Sequence, residues 1–163
     1  MLLRLYPHLF HKDEQTIFMG DSAGGNVALA LVLAALRPTQ TSDVAPPVPH
    51  AVFLISPCAD AKNDNPAMRE TDKNDPLLSV KYTGEVAEAW AKGLADRDDP
   101  LVSPTYGDLD ALRRRGVRLD GIVGTWDVLC PDTLVLLDKA AKTGITGEWL
   151  LWEKQMHCFP LIW

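Results

Sequence analysis

Cysteine is scarce in this 163-residue sequence, and its spacing argues against two common uses of the residue. Cys58, Cys130 and Cys158 are odd in number and far apart, which fits neither a disulfide framework nor a CxxC metal site. We therefore expect three free thiols. Cys158 directly follows His157, but neighbouring side chains on a strand or loop tend to point apart, so the sequence disfavours a Cys–His nucleophile pair.

Long hydrophobic runs and an excess of basic residues are also lacking. The richest apolar stretch, residues 27–36, is much shorter than the roughly 18 residues of a membrane span. Residues 1–7 lack the apolar core and cleavage site of a signal peptide. The chain has 16 Lys and Arg against 22 Asp and Glu, a net charge of −6, which argues against a nucleic-acid partner. We expect a single domain over residues 1–163, with no membrane span and a cytoplasmic location by default.

The most informative motif is a G-x-S-x-G turn over residues 20–24. It follows an apolar run at residues 16–19, which predicts a buried strand, and it precedes an apolar stretch at residues 26–36, which predicts a buried helix. This context favours a nucleophile elbow, in which Ser22 occupies a strained turn between strand and helix. Gly20 and Gly24 would then supply the space that the turn requires.

Glycine-rich turns also bind phosphates or dinucleotides, but the residues around this turn do not fit either use. A phosphate-binding loop needs a lysine after its last glycine, and Asn26 and Val27 stand there instead. The G-x-G-x-x-G spacing of dinucleotide-binding loops is missing as well. A structural turn with a capping serine remains open from the motif alone.

Strand and helix patterns alternate along much of the chain. Apolar runs predict strands at residues 51–56, 119–125 and 148–152, and a helix is predicted at residues 131–142. A helix end at residues 2–10 and a proline-rich loop at residues 39–50 complete the pattern. The alternation predicts an α/β fold, a mainly parallel sheet of about four strands with flanking helices. Functional groups of such sheets gather at the carboxyl ends of the strands.

A polar segment over residues 60–109 interrupts this alternation. Its clearest helix pattern covers residues 79–94, where Val86, Trp90 and Leu94 recur at four-residue spacing. We interpret the segment as a lid-like insertion that contributes to a substrate pocket, with Trp90 as a candidate wall residue. A helix-core role for Trp90 stays open.

The chain also carries a carboxylate and a histidine in the order that a serine nucleophile needs. A serine hydroxyl requires a histidine to accept its proton and a carboxylate to orient that histidine. Asp127 follows the third predicted strand and His157 follows the fourth. Both therefore fall at the sheet edge where Ser22 is expected.

Other carboxylates and histidines fit this order less well. Asp132 lies in the first turn of a predicted helix, where the helix dipole explains an acidic residue. Asp120 lies at the wrong end of its strand. His8 and His11 precede the serine, and His50 belongs to the proline-rich loop.

With these motifs the sequence resembles the hormone-sensitive-lipase-like branch of the α/β hydrolases, the fold-3 esterases. The resemblance extends over residues 16–160 and rests on G-D-S-A-G-G-N at 20–26, D-P-L-V-S-P at 99–104, G-T-W-D at 124–127 with P-D at 131–132, and H-C-F-P at 157–160. It implies that Ser22, Asp127 and His157 are nucleophile, acid and base, and that the backbone N–H of Ala23 is one oxyanion donor. It also implies a small-molecule ester of a short or medium acyl chain as substrate, and neither a metal nor an organic cofactor.

The chain departs from that branch upstream of the serine. The family's H-G-G-G loop supplies further oxyanion donors, and no such motif occurs in this sequence. Loss of one oxyanion donor costs about a hundredfold or more in turnover. We therefore expect a hydrolase truncated at both ends and weakened, whose strand at residues 16–19 forms an exposed apolar edge open to self-association. The alternative is a non-catalytic remnant that acts as a binding or assembly module.

Overall fold

The computed structural model describes residues 15–37, 48–92 and 96–162. Within these ranges four strands form one parallel sheet: β1 (Ile17–Asp21), β2 (Ala51–Ile55), β3 (Arg118–Gly124) and β4 (Trp149–Trp152). Their order across the sheet is β1-β2-β3-β4, so consecutive strands are neighbours. The predicted parallel sheet of about four strands is confirmed, and the carboxyl ends of all four share one edge.

The same ranges contain five α-helices and two short 3₁₀ turns. The helices are α1 (Ser22–Leu36), α2 (Met68–Thr71), α3 (Val80–Trp90), α4 (Leu109–Arg114) and α5 (Cys130–Thr143). The 3₁₀ turns are Pro104–Tyr106 and Phe159–Leu161.

Local chemistry sets several helix ends. The Ser79 hydroxyl caps α3 by accepting a hydrogen bond from the Tyr82 N–H at 3.2 Å. Helix α5 has Pro131 in its first turn, where proline is favoured, and it is followed by Gly144 with a φ of 78°. These signals place both helices close to their predicted positions.

The main core lies where α1, α4 and α5 pack against β2 and β3. Its larger fully buried side chains are Leu29, Val32, Val52, Leu54, Leu112, Val117, Leu119 and Leu136. A second cluster joins Met68 of α2 to Val128 and Leu129, in the loop after β3. This second cluster fixes the loop that carries Asp127.

The observed elements differ from the predicted ones mainly at their ends. Helix α1 begins at Ser22, directly after β1, rather than at Asn26. The helix predicted over residues 79–94 is observed as α3. The predicted helix end at residues 2–10 and Leu94 lie outside the described residues, as does most of the proline-rich loop.

Three further features concern membranes, metals and disulfides. No helix in the part of the chain that the structure describes is long and apolar enough to cross a membrane. Among those same residues, no group of three or more His, Cys, Asp or Glu side chains is arranged to hold a metal ion. The three cysteines are free, as expected.

Candidate active site

Ser22 lies at the junction of β1 and α1, at the carboxyl edge of the sheet. Its φ of 51° is in the left-handed region, which costs a residue other than glycine about 1–3 kcal/mol. The Cys58 N–H holds the turn by donating to the Ser22 carbonyl oxygen at 3.0 Å. A strained serine between a strand and a helix is typical of a nucleophile elbow.

Two glycines make this tight turn possible. A Cβ atom at Gly20 would lie 2.3 Å from the Gly24 carbonyl oxygen, so only glycine fits there. A Cβ at Gly24 would meet nothing nearer than an Asp21 oxygen at 3.9 Å, so the crowding predicted at Gly24 is not observed. The second crowded position is Gly25, where a Cβ would lie 3.0 Å from the Pro57 Cβ. Helix α1 approaches the segment after β2 closely at Gly25, so the crowding lies there rather than at Gly24.

Asp127 and His157 form a buried hydrogen-bonded pair. The imidazole Nδ1 lies 3.1 Å from each of the two Asp127 carboxylate oxygens. The Asp127 side chain is fully buried, and its Oδ1 also accepts a hydrogen bond from the Leu129 N–H at 2.8 Å. A carboxylate held in this way orients an imidazole and stabilises its charged form.

The other ring nitrogen of His157 faces Cys158. The Cys158 Sγ lies 3.3 Å from Nε2. The expectation that these neighbours point apart is wrong, because Cys158 has a φ of 50° and a ψ of 30°, and this left-handed backbone brings the two side chains together. The Cys158 N–H donates to the Ser56 Oγ at 3.0 Å, which holds the backbone in place.

The surroundings of His157 favour its protonated form. Burial of the ring lowers its pKa, but the hydrogen bonds with Asp127 and Cys158 outweigh burial and raise the pKa to about 10. The imidazole in this conformation is therefore protonated at neutral pH.

Ser22, Asp127 and His157 follow β1, β3 and β4, so the fold places them at one edge of the sheet. Among the described residues, no hydrogen bond joins the Ser22 hydroxyl to the imidazole. Catalytic hydrogen bonds are often long or misaligned without a ligand and tighten when substrate binds.

A mainly apolar cavity of about 200 Å³ opens beside Ser22. Ala23 lines it from the first turn of α1, and Trp90 lines it from the end of α3. Trp90 is 53% exposed, so its side chain forms a wall of the cavity rather than part of the core. The other apolar residues of the lining include Val27, Ala61, Leu78, Tyr82, Val86, Ala87 and Leu129.

The rival carboxylates have other partners. Asp132 is 5% exposed in the first turn of α5, where the Asn65 Nδ2 donates to its Oδ1 at 2.9 Å. Burial raises the pKa of Asp132 to about 6, against the lowering effect of Asn65. Asp120 pairs with Arg118 at 2.7 Å within β3. In the described ranges neither carboxylate is hydrogen-bonded to His157.

Two buried polar residues that support the site were not predicted to do so. The Asp75 Oδ2 accepts a hydrogen bond from the Val128 N–H at 3.0 Å, next to Asp127. The Asn26 Nδ2 donates to the carbonyl oxygens of Cys58 at 2.8 Å and Val102 at 2.6 Å. Asn26 belongs to the recognised serine motif, which was the available signal, whereas Asp75 lies in a polar segment without a motif.

Comparison with known proteins places these residues in a wider context. A family model described as the alpha/beta hydrolase fold matches residues 4–161. An esterase of Acinetobacter venetianus is 32% identical over 150 residues, which cover 92% of this chain and 46% of that protein. An acetyl-hydrolase of Streptomyces hygroscopicus is 33% identical over 138 residues, which cover 85% of this chain and 42% of that protein. The chain thus spans somewhat less than half the length of these two relatives.

A solved structure is similar to this chain as well. The crystal structure of an esterase from the bacterial hormone-sensitive lipase family superimposes with a TM-score of 0.76 at 25% identity. The match covers 88% of this chain and 44% of that one. Most of this chain therefore superimposes on somewhat less than half of a larger protein.

Proposed function

The chain belongs to the hormone-sensitive-lipase-like branch of the α/β hydrolase family, and from this premise we propose that it hydrolyses carboxylic esters with Ser22, His157 and Asp127 as a catalytic triad. Ser22 is the nucleophile, His157 the base, and Asp127 the acid that orients His157. The names of the two relatives, an esterase and an acetyl-hydrolase, support this class of reaction.

The reaction has two half-reactions. The Ser22 Oγ attacks the carbonyl carbon of the ester while the His157 Nε2 accepts the hydroxyl proton, which then passes to the departing alcohol. A water molecule, deprotonated by the same imidazole, then releases the acid from the acyl-serine. Asp127 remains ionised and keeps Nδ1 in place throughout.

The observation that carries this proposal is the strained position of Ser22 at the same sheet edge as the Asp127–His157 pair. A φ of 51° costs free energy that a purely structural turn could avoid with glycine. A buried Asp–His hydrogen bond orients the imidazole that a serine nucleophile needs as its base. Together these features favour the nucleophile elbow over the structural turn that the motif alone left open.

His157 must exchange the hydrogen-bond partner of its Nε2 before it can act as the base. In the described conformation the His157 Nε2 contacts Cys158, and the raised pKa keeps the ring protonated. The proposal therefore requires the imidazole to release the thiol, lose its proton and turn Nε2 towards the Ser22 hydroxyl when substrate binds.

Oxyanion stabilisation and substrate choice follow from the first turn of α1. The Ala23 N–H lies in that turn, and within the described residues the Asp21 side chain makes no capping hydrogen bond there. We assign the Ala23 N–H as one oxyanion donor, assisted by the positive end of the helix dipole. The apolar cavity beside Ser22, with Trp90 as a wall, suits the short or medium acyl chain of a small ester.

A fluorophosphonate probe tests the nucleophile assignment. The probe reacts with activated serines, and mass spectrometry of the digested chain locates the adduct. We expect labelling at Ser22 that is lost in Ser22→Ala and reduced at least about a hundredfold in His157→Ala. Ser79→Ala serves as the matched control and keeps the label, because Ser79 caps α3. A folded chain that takes no label at Ser22 would contradict the proposal.

A second candidate function is a binding or assembly module without catalysis. The exposure of Ile17 and Met19, 52% and 65%, favours it, because apolar side chains on β1 invite self-association. Within either function we propose that residues 60–109 form an insertion into one domain, since α2 and α3 lie between β2 and β3 in the chain.

A further inference from the structure

Cys158 stands outside the proposed triad, yet its thiol has the contact with an imidazole that an activated cysteine needs. Its Sγ is 3.3 Å from the His157 Nε2, and the Nδ1 of the same ring is 3.1 Å from Asp127. Thiol, imidazole and carboxylate thus form one continuous series of hydrogen bonds. In nucleophilic cysteines, an adjacent imidazole that is oriented by a third group activates the thiol.

We propose that Cys158 is a reactive thiol and a covalent modification site for small, soft carbon electrophiles such as α-haloamides. The thiol proton passes to water, the protonated His157 ring stabilises the thiolate through the contact between Nε2 and Sγ, and a sulfur electron pair forms a bond to the electrophilic carbon. The halide leaves with the electrons of the carbon–halogen bond. The products are a thioether on Cys158, a halide ion and a proton in solution, and the charge of the His157 imidazolium remains balanced by the Asp127 carboxylate. The step does not require Ser22 to be a nucleophile.

The other two cysteines provide an internal comparison. Cys58 is more exposed than Cys158 and lines the cavity beside Ser22. Its thiol nevertheless has a pKa raised to about 12, by burial and then by the Asp132 and Asp60 carboxylates. Cys130 is also buried, and burial followed by the nearby Asp127 raises its pKa to about 11. Access alone predicts that Cys58 reacts first, whereas activation by the imidazole predicts that Cys158 does.

Iodoacetamide is the probe that separates these predictions. The native chain is treated at neutral pH, the reaction is quenched at intervals, and mass spectrometry follows each cysteine peptide. We expect Cys158 to be alkylated at least about tenfold faster than Cys58 or Cys130. Cys158→Ser should remove the fast phase of alkylation. Reaction of Cys58 ahead of Cys158 would overturn the proposal, as would a fast phase that persists in Cys158→Ser.

Dependence on the imidazole is tested with two histidine variants. His157→Ala should slow the alkylation of Cys158 by about tenfold or more, because the cation that stabilises the thiolate is lost. His50→Ala is the matched control, since His50 is exposed and its hydrogen bonds among the described residues are made by its backbone. An unchanged rate at Cys158 in a folded His157→Ala chain would overturn the proposal. An unfolded variant is recognised because its three thiols react alike, and the comparison among the wild-type cysteines then decides.

Discussion

At the scale of single residues, left-handed backbone angles at Ser22 and Cys158 define the chemistry of the site. One places a serine directly between β1 and α1, and the other brings a thiol to the imidazole of His157. Such conformations cost about 1–3 kcal/mol each and persist only where the surroundings enforce them. Close packing at Gly20 enforces the first, and the hydrogen bond to Ser56 supports the second.

Gly20→Ala should destabilise the chain far more than Gly24→Ala. The added Cβ at Gly20 would lie 2.3 Å from a backbone oxygen, which forces a backbone shift and costs about 1–3 kcal/mol or more. Gly24→Ala is the matched control, because its Cβ has room and alanine gains up to about 1 kcal/mol over glycine within a helix. Urea unfolding of both variants measures the difference. Equal unfolding midpoints would contradict this account of the turn.

Asp132→Asn should stabilise the chain at neutral pH. Burial raises the pKa of Asp132 from 3.8 to about 6, so the folded state binds the proton more tightly than the unfolded chain. The free energy of unfolding of the wild type therefore falls as pH rises from about 3.8 to about 6. The free energy of unfolding of the variant does not fall in this way, and at pH 7 it is about 1–3 kcal/mol higher than that of the wild type.

Urea unfolding at several pH values checks this expectation. Asp138→Asn, on an exposed part of α5, is the control and should change stability little. The dipole of α5 opposes the expected effect, since it stabilises an acidic residue in the first turn by about 0.3–1 kcal/mol. An Asp132→Asn chain less stable than the wild type at pH 7 would show that the dipole outweighs burial.

At the scale of elements, Asn26 connects α1 to two loops that surround the site. Its amide donates to the carbonyl oxygens of Cys58 and Val102, so Asn26→Ala would leave two acceptors without this partner. We expect a loss of about 2–4 kcal/mol in the free energy of unfolding. Asn74→Ala is the control, because the hydrogen bond that the Asn74 side-chain amide donates to the Glu70 carbonyl oxygen is exposed. Chemical denaturation measures both losses, and equal losses would contradict the role assigned to Asn26.

The elements were predictable to the extent that their own residues determine them. The four strands are rich in apolar residues, and Pro131 and Ser79 mark helix starts, so these elements were predicted within a few residues. The start of α1 at Ser22 was missed, because it depends on packing of Gly20 and Gly25 against other segments.

The candidate site, too, could be predicted only in part from the sequence. The order of serine, acid and base was readable because each follows a predicted strand. The contact between Cys158 and His157 was not, since it depends on a backbone angle that Ser56 supports from a distant part of the sequence.

At the scale of the whole molecule, apolar side chains remain exposed on both outer strands of the described sheet. On β1 these are Ile17 and Met19, and on β4 they are Leu150, Leu151 and Trp152. Exposed apolar patches at sheet margins favour association with another polypeptide. The chain also spans less than half the length of the two relatives compared above.

Met19→Lys should reduce self-association of the chain. A charged side chain on a sheet margin opposes strand-to-strand pairing between molecules. Size-exclusion chromatography with light scattering over a range of concentrations measures the average molecular mass. The control is Lys81→Met on exposed α3, which exchanges the same two residue types in the opposite direction. We expect a lower average mass for Met19→Lys than for the wild type. A wild-type chain that is monomeric at every concentration would contradict the self-association proposal.

If this chain cleaves carboxylic esters as proposed, an acyl group must form on Ser22 during turnover. The most direct measurement is rapid mixing with p-nitrophenyl acetate, followed by an acid quench and mass spectrometry of the digested chain. We expect a burst of p-nitrophenol with the acetyl group on Ser22, kept in Ser79→Ala and lost in Ser22→Ala. A folded chain that shows no acetyl-Ser22, or that carries the acetyl group only on Cys158, would contradict the proposed function.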